Sequence, residues 1–337
     1  MHHRRGYRVR PGRVLTSVGL VAVAVAFVVA ASVVLRSGPS RATGGAGPSR
    51  LALPTTIDAI LGSARLLSTE GAHAKAEAIL SEATRQYPDN QELRIALAME
   101  LLELRRPEEA YDQYTAALSI GPREPAIEFT AGTIANTIGR LDRAIEHYEA
   151  AQAADPTTGD YPLYLGQVLA KLGRYDAAKA SLLRSAKLNE DRAVIWGTLA
   201  DIALRENNAH LSASHAARAR SIDPSNAVYR LIEGRALNRI GRPDEALELF
   251  IAMPPADRRD PDVMRLMSES FGLLNRPRDA ALIYAAAADE DRSDGESAFR
   301  AGEWFDRAGE ASQAREYLGR AALLGHEAAA AVLERIR

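Results

Sequence analysis

GRPDEALELF, residues 241–250, returns in altered form along the chain. Related stretches are LRRPEEAYDQY at 104–114, GRLDRAIEHY at 139–148 and NRPRDAALIY at 275–284. Ala246 of this stretch is the reference position for the repetition. At steps of 34 residues in both directions the positions from 76 to 314 hold Ala seven times in eight, with Ser212 as the exception. A fixed period of this length indicates a repeat architecture rather than a set of unrelated domains.

Further columns share this period. Small residues recur twelve positions before and seven positions after the Ala column, and Pro88, Pro122, Pro156 and Pro224 follow in phase. A turn position lies between the first two small columns: Gly71, Arg105, Gly139, Gly173, Asn207, Gly241, Asn275 and Gly309. All but Arg105 readily adopt the left-handed conformation that ends a helix. Each unit is therefore predicted to be two helices around a turn, packed closely through their small residues.

A 34-residue helix–turn–helix unit with small residues at its eighth, twentieth and twenty-seventh positions, and Pro at its thirty-second, resembles the tetratricopeptide repeat (TPR). Eight units fit residues 57–325, and Trp196, Leu199 and Pro224 match the family pattern in the fifth. The resemblance implies an all-α, right-handed α-solenoid with a C-terminal capping helix in 326–337. The unit starts are 57, 91, 125, 159, 193, 227, 261 and 295. MPPADRRDP at 253–261 departs from the pattern and predicts a looser or bent sixth-to-seventh junction.

The N-terminal region has a different character. Residues 14–35, VLTSVGLVAVAVAFVVAASVVL, carry no charge, and a helix of that length spans about 33 Å, enough for a hydrocarbon core of ~30 Å. We therefore expect a transmembrane helix that contacts the lipid bilayer, with a cleaved signal peptide as the alternative. Five Arg within residues 1–13 predict a short cytoplasmic tail and a body on the outer, periplasmic side of the cytoplasmic membrane. The Gly/Ser/Pro-rich residues 36–56 predict a flexible linker.

Composition excludes several classes of function. Beyond residue 50 the chain has 34 basic and 44 acidic residues, which argues against binding to nucleic acid. The absence of Cys excludes disulfides and thiolate metal sites. No nucleotide-binding, hydrolase or zinc-protease motif occurs, so the sequence predicts no enzyme, no cofactor and no metal site. His147, which follows Glu146 and precedes Glu149 by two residues, is expected to be solvated.

The family resemblance implies that the first helix of each repeat lines a concave groove, through unit positions 2, 5, 9, 12 and 13. The candidate contacts for a protein or extended peptide partner are Asn136, Gln167, Asp201, Arg205, Arg235, Asn238, Arg239 and Arg265. The four Arg favour an acidic or C-terminal peptide, because guanidinium pairs bidentately with carboxylate. The alternative is that they pair with Asp201 and Glu269 within the fold.

These features together predict a membrane-anchored TPR scaffold that binds a partner on the outer side of the cytoplasmic membrane. Its expected role is to support the assembly, secretion or maturation of envelope proteins. The alternative is a targeting receptor on an organelle membrane, with the TPR domain in the cytosol.

Overall fold

The computed structural model describes residues 56–336, which contain seventeen α-helices, one short 3-10 helix and no strands. The first helices of the eight repeats are α1 (Ile57–Thr69), α3 (Gln91–Glu103), α5 (Pro125–Thr137), α7 (Asp160–Lys171), α9 (Ala193–Arg205), α11 (Ala227–Arg239), α13 (Pro261–Leu273) and α15 (Gly295–Arg307). The second helices are α2 (His73–Gln86), α4 (Pro107–Ile120), α6 (Leu141–Ala154), α8 (Tyr175–Leu188), α10 (Ala209–Ile222), α12 (Pro243–Ile251), α14 (Pro277–Glu290) and α16 (Ala311–Leu323). The helix α17 (Glu327–Arg335) follows. The first helices begin within one residue of the unit starts expected from the 34-residue period.

The turn inside each repeat has the same geometry. All eight residues of the turn column have positive φ, between +55° and +78°, and Arg105 is among them at +60°. The next residue donates its N–H to a carbonyl five residues back, as Arg242 does to Leu237 at 2.9 Å. This is the Schellman arrangement that satisfies the last carbonyls of a helix. Arg105 shows that the repeat imposes the left-handed conformation even where no glycine or asparagine is present.

Small residues allow the two helices of a repeat to approach closely. The Ala column is fully buried, as Ala110 and Ala246 illustrate. At the eighth position Gly234 faces the ring of Phe250, and a Cβ built there would lie 2.2 Å from the ring atom Cζ. Gly132 faces Tyr148 in the same way. The glycines therefore make room for large side chains of the second helix, as the sequence columns predict.

The chain divides between Tyr161 and Pro162 into two compact units, unit 1 and unit 2. Within unit 1 a hydrogen-bonded set of polar side chains is buried. His147, only 9% exposed, lies with Nδ1 2.7 Å from Oε2 of Glu128 and Nε2 3.2 Å from the hydroxyl of Tyr111. Arg123 donates to the other Glu128 oxygen at 2.5 Å.

The expectation that His147 is solvated is therefore wrong. Its acidic neighbours, Glu146 and Glu149, point to solvent, whereas His147 shares the packed face of α6 with Ala144, Tyr148 and Ala151. Helical spacing, rather than adjacency in sequence, decides which side of the helix a residue occupies.

Within unit 2 the sixth repeat departs from the others. Helix α12 has only nine residues, and PP at 254–255 is followed by a 3-10 turn at Asp257–Arg259. Met253 takes the place of the usual Ala and is buried with Phe250 and Leu266. Proline cannot continue the helix, and the flexible Met side chain fills the space that the early end leaves. The irregularity predicted at the sixth-to-seventh junction is therefore a shortened second helix in the sixth repeat.

The last helix has the character expected of a cap. Helix α17 packs its Ala329, Val332 and Leu333 against a cluster that contains Phe299 and Leu318. Its other face carries residues such as Glu327 and Glu334, which are exposed. Such a polar outer face ends a repeat array without leaving an apolar edge.

The predictions for the tail, the transmembrane segment 14–35 and most of the linker lie outside the described residues. Within residues 56–336, no helix combines the length and apolar character that crossing a membrane requires.

Candidate peptide-binding surface

The predicted groove residues all lie on first helices, at the repeat positions from which they were chosen. Asn136, on α5, belongs to unit 1, and the others belong to unit 2. The exposed sides of α9, α11, α13 and α15 are called the first-helix surface of unit 2 below. Asn136, Gln167 and Arg235 are half-buried, and Arg205, Arg239 and Arg265 are exposed.

Two of the four arginines have carboxylate partners on their own helices. Arg205 donates through Nε to Asp201 at 2.7 Å, and this hydrogen bond raises the pKa of the guanidinium. Arg265 lies 3.2 Å from Asp262 and 3.8 Å from Glu269. The internal-pairing alternative therefore holds for these two arginines. Because exposed pairs of this kind contribute only about 0.2–1 kcal/mol, a ligand carboxylate could exchange with them at little cost.

The other two arginines differ from each other. Arg239 reaches back to the fifth repeat and donates to the carbonyl of Leu204 at 3.1 Å. That carbonyl lies in the last turn of α9 and also accepts the N–H of Asn207 at 3.1 Å, so Arg239 adds a second hydrogen bond there and ties α11 to α9. Arg235 makes no ion pair or hydrogen bond with any residue in 56–336. Arg235 is thus the predicted groove arginine that the fold leaves available.

Asn238 does not belong to an open surface. Its side chain is 4% exposed, its amide nitrogen donates to the carbonyl of Leu266 at 3.2 Å, and its oxygen accepts from the Ser270 hydroxyl at 2.8 Å. These bonds fasten α11 to α13. We therefore remove Asn238 from the proposed contact residues, since its amide is already used by the fold.

The first-helix surface contains a cavity of about 1020 Å³ between α13 and α15, called the α13–α15 cavity below. The predicted Arg265 lines it, together with Glu269. Other lining side chains were not among the predicted contacts, notably Leu273, Tyr284, Trp304 and Arg307. The size is that of ligand sites, which are typically ~300–1,000 Å³ and mostly apolar with a few polar groups.

One signal in the sequence marks this place. Gly272 lies in the last turn of α13 but not at the turn column, so the repeat pattern does not require a glycine there. The structure supplies the reason: a Cβ at residue 272 would lie 2.7 Å from the Cη2 atom of the Trp304 indole. Trp304 was not among the predicted contacts because it occupies the tenth position of its repeat, outside the family's groove positions.

The cavity combines buried side chains with charged ones. Burial raises the pKa of Tyr284, which keeps its hydroxyl protonated in the cavity floor. Among residues 56–336 no three His, Asp or Glu side chains are grouped as metal ligands would be. What the cavity offers is an apolar floor, an indole and a rim of charges.

Sequence comparison identifies the repeat. Two tetratricopeptide repeat profiles match the chain, one over residues 95–158 and 198–261 and the other over 139–202. Their ranges join into one stretch from 95 to 261. No curated protein sequence matches the chain significantly.

Solved structures with the same fold have low sequence identity. A tetratricopeptide repeat protein from Parabacteroides merdae has a TM-score of 0.53 at 14% identity, over 73% of this chain and 96% of that one. PilF of Pseudomonas aeruginosa has a TM-score of 0.51 at 18% identity, over 63% of this chain and 96% of that one. PilW, described as a widely conserved type IV pilus biogenesis factor, has a TM-score of 0.51 at 19% identity, over 62% of this chain and 97% of that one. At these identities the likeness shows a shared fold.

Proposed function

We propose that this chain, whose residues 95–261 match tetratricopeptide repeat profiles, is a scaffold that binds a protein or extended peptide on the first-helix surface of unit 2. The observation that carries the proposal is the α13–α15 cavity, which packing leaves open beside side chains that differ from repeat to repeat. Residues that repeat, such as Ala246, are buried and build the fold. Specificity must then come from the residues that vary and remain accessible.

The proposed location is the outer side of the cytoplasmic membrane. The uncharged residues 14–35 and the five Arg that precede them support an anchor with its tail in the cytoplasm. The linker 36–56 would then hold the repeats a typical ~25 Å from the membrane. In that position the scaffold would support the assembly, secretion or maturation of envelope proteins. The fold shared with PilW, a pilus biogenesis factor, is compatible with such a role.

A reporter fusion tests the location. Alkaline phosphatase joined after Arg337 is active only outside the cytoplasm, so the proposal expects an active enzyme. A cytosolic reporter at the same position should then be inactive. The reverse result would refute the outer location and favour the receptor alternative, in which the TPR domain is cytosolic.

A charge-reversal experiment tests the binding surface. The full chain, solubilised in mild detergent, should capture a defined partner from envelope extracts, identified by mass spectrometry and then purified. Arg235→Glu should weaken that purified interaction at least tenfold, because it places a negative charge where the fold leaves an unpaired cation. The matched control is Arg184→Glu on α8, a second-helix arginine that is exposed.

Equal loss in both variants would indicate a general charge effect and refute a site on the first-helix surface. Unchanged binding in Arg235→Glu would refute the role of Arg235. Far-ultraviolet circular dichroism of each variant establishes that the helices are intact.

A further inference from the structure

The α13–α15 cavity has a clear division between an apolar interior and a charged rim. Met264, Tyr284 and Ala287 line it from α13 and α14, and the first two are less than a tenth exposed. Trp304 of α15 lines the cavity and is half-buried. An interior of this kind favours a large apolar side chain, since its burial contributes about 25 cal/mol per Å² of apolar surface removed from water.

Trp304 is held in a defined place. The indole edge fits over Gly272, where any side chain would collide with it at 2.7 Å. The guanidinium of Arg307 lies over the ring, 4.5 Å from its centroid. The ring is therefore held at one edge and over a face, so that a partner side chain meets a positioned aromatic surface.

Arg307 differs from the other arginines that line the cavity. The other three have carboxylate partners: Arg259 with Glu290 at 2.7 Å, Arg265 with Asp262 at 3.2 Å, and Arg300 with Glu296 at 2.8 Å. Arg307 is exposed, and within residues 56–336 it has no ion pair or hydrogen bond, only its contact with the Trp304 ring. Its charge is thus the one on this rim that remains available to a ligand.

The carboxylates of the rim are all engaged. Glu296 and Glu303 hold Arg300, Asp262 and Glu269 flank Arg265, and Asp294 caps α15 by accepting from the Ser297 N–H at 2.9 Å. A cationic partner would have to displace an arginine from its existing pair and so would gain little. An anionic partner meets Arg307 without breaking any pair. Local pairing therefore favours an anion, although carboxylates outnumber arginines along the rim by five to four.

We propose that the α13–α15 cavity binds an extended peptide of the partner through an aromatic or large aliphatic side chain laid on Trp304, and through an adjacent carboxylate paired with Arg307. This assignment rests on the proposed scaffold function and specifies the chemistry of its ligand. The anchor supplies the apolar burial, and the carboxylate next to it supplies the charge-assisted hydrogen bonds that a guanidinium makes best.

The two tryptophans of the chain allow a direct test. Trp196 is buried beside Arg218, and Trp196→Phe leaves Trp304 as the sole tryptophan of the chain. The full Trp196→Phe chain, in mild detergent, is titrated with a blocked hexapeptide that contains phenylalanine and, two positions later, glutamate, because side chains two residues apart lie on the same side of an extended peptide. Three matched peptides replace that glutamate by glutamine, replace it by lysine, or replace the phenylalanine by alanine.

The glutamate peptide should shift the Trp304 emission in a saturable way. The glutamine and alanine peptides should each bind about tenfold more weakly, and the lysine peptide weaker still. In the Arg307→Gln background the preference for glutamate over glutamine should vanish. Arg184→Gln on α8 is the control and should retain the preference.

Several results would overturn the assignment: no saturable change with any peptide, a tighter lysine peptide, or an Arg307→Gln chain that still prefers glutamate. The Arg307→Gln chain is also used with the purified partner of the charge-reversal experiment. If the partner still binds at full strength while the peptides fail, the cavity assignment is wrong and the scaffold proposal stands. If the unaltered chain captures no partner, the scaffold proposal itself fails.

Discussion

Replacing Gly234 by alanine tests the close approach of the two helices in the sixth repeat. The new Cβ would lie 2.2 Å from Cζ and 2.7 Å from Cε1 of Phe250, whose side chain is fully buried. Overpacking of this kind costs about 1–3 kcal/mol. Alanine in a helix interior gains about 1 kcal/mol over glycine. We therefore expect Gly234→Ala to change the free energy of unfolding by between about zero and −2 kcal/mol.

A matched substitution separates the two contributions. Gly319 also lies inside a helix of unit 2, α16, but a Cβ there would meet nothing within 4 Å. Gly319→Ala should therefore show the gain in helix propensity alone, about +1 kcal/mol. The difference between the two variants, about 1–3 kcal/mol, measures the packing term by itself. Urea unfolding followed by circular dichroism gives both values under identical conditions.

A double variant makes the test specific to the contact. Phe250→Leu shortens the side chain that Gly234 accommodates, so Gly234→Ala should be less costly in that background. The reasoning would be refuted if Gly234→Ala and Gly319→Ala had equal stability, or if the cost of Gly234→Ala were the same with phenylalanine and with leucine at 250.

Three further changes test other parts of the fold. His147→Leu removes a hydrogen-bond partner of the buried Glu128 and should lower the free energy of unfolding by about 1–3 kcal/mol in urea; unchanged stability would indicate a solvated His147. Asn238→Ala should cost about 1–3 kcal/mol by the same measurement, because it removes a buried side chain whose amide hydrogen bonds join α11 to Leu266 and Ser270 of α13. Binding of the purified partner should stay the same; lost binding with full stability would return Asn238 to the contact surface. Arg105→Gly should raise the free energy of unfolding by about 0.5–1 kcal/mol, and with it the thermal midpoint, because glycine adopts positive φ without strain. A lower thermal midpoint would contradict the strain argument.

The repeat register could be predicted closely because it rests on local chemistry. Gly241 ends α11, Pro243 begins α12, and Ala246 is buried at the crossing, as the repeated phrase implies. Each of these positions depends on its own backbone preference or on its size, and eight copies reinforce the pattern. The candidate contacts were harder to predict, because position in the unit does not fix whether a side chain is free.

Asn238 and Gly272 illustrate this limit. Both occupy the twelfth position of their units, yet one is buried in hydrogen bonds between α11 and α13 and the other makes room for an indole. The difference comes from residues more than thirty positions away in sequence, Ser270 and Trp304. No property of the twelfth residue alone contains that information.

The sequence by itself determined the period, the helix boundaries and the buried columns, because helix propensity, turn conformation and residue size act locally and repeat eight times. The tertiary structure alone decided which polar side chains are available. Arg205 and Arg265 are paired, Arg239 supports α9, and Arg235 and Arg307 remain open. Pairing depends on distances between side chains that only folding brings together, and salt screens charges at the surface over about 10 Å.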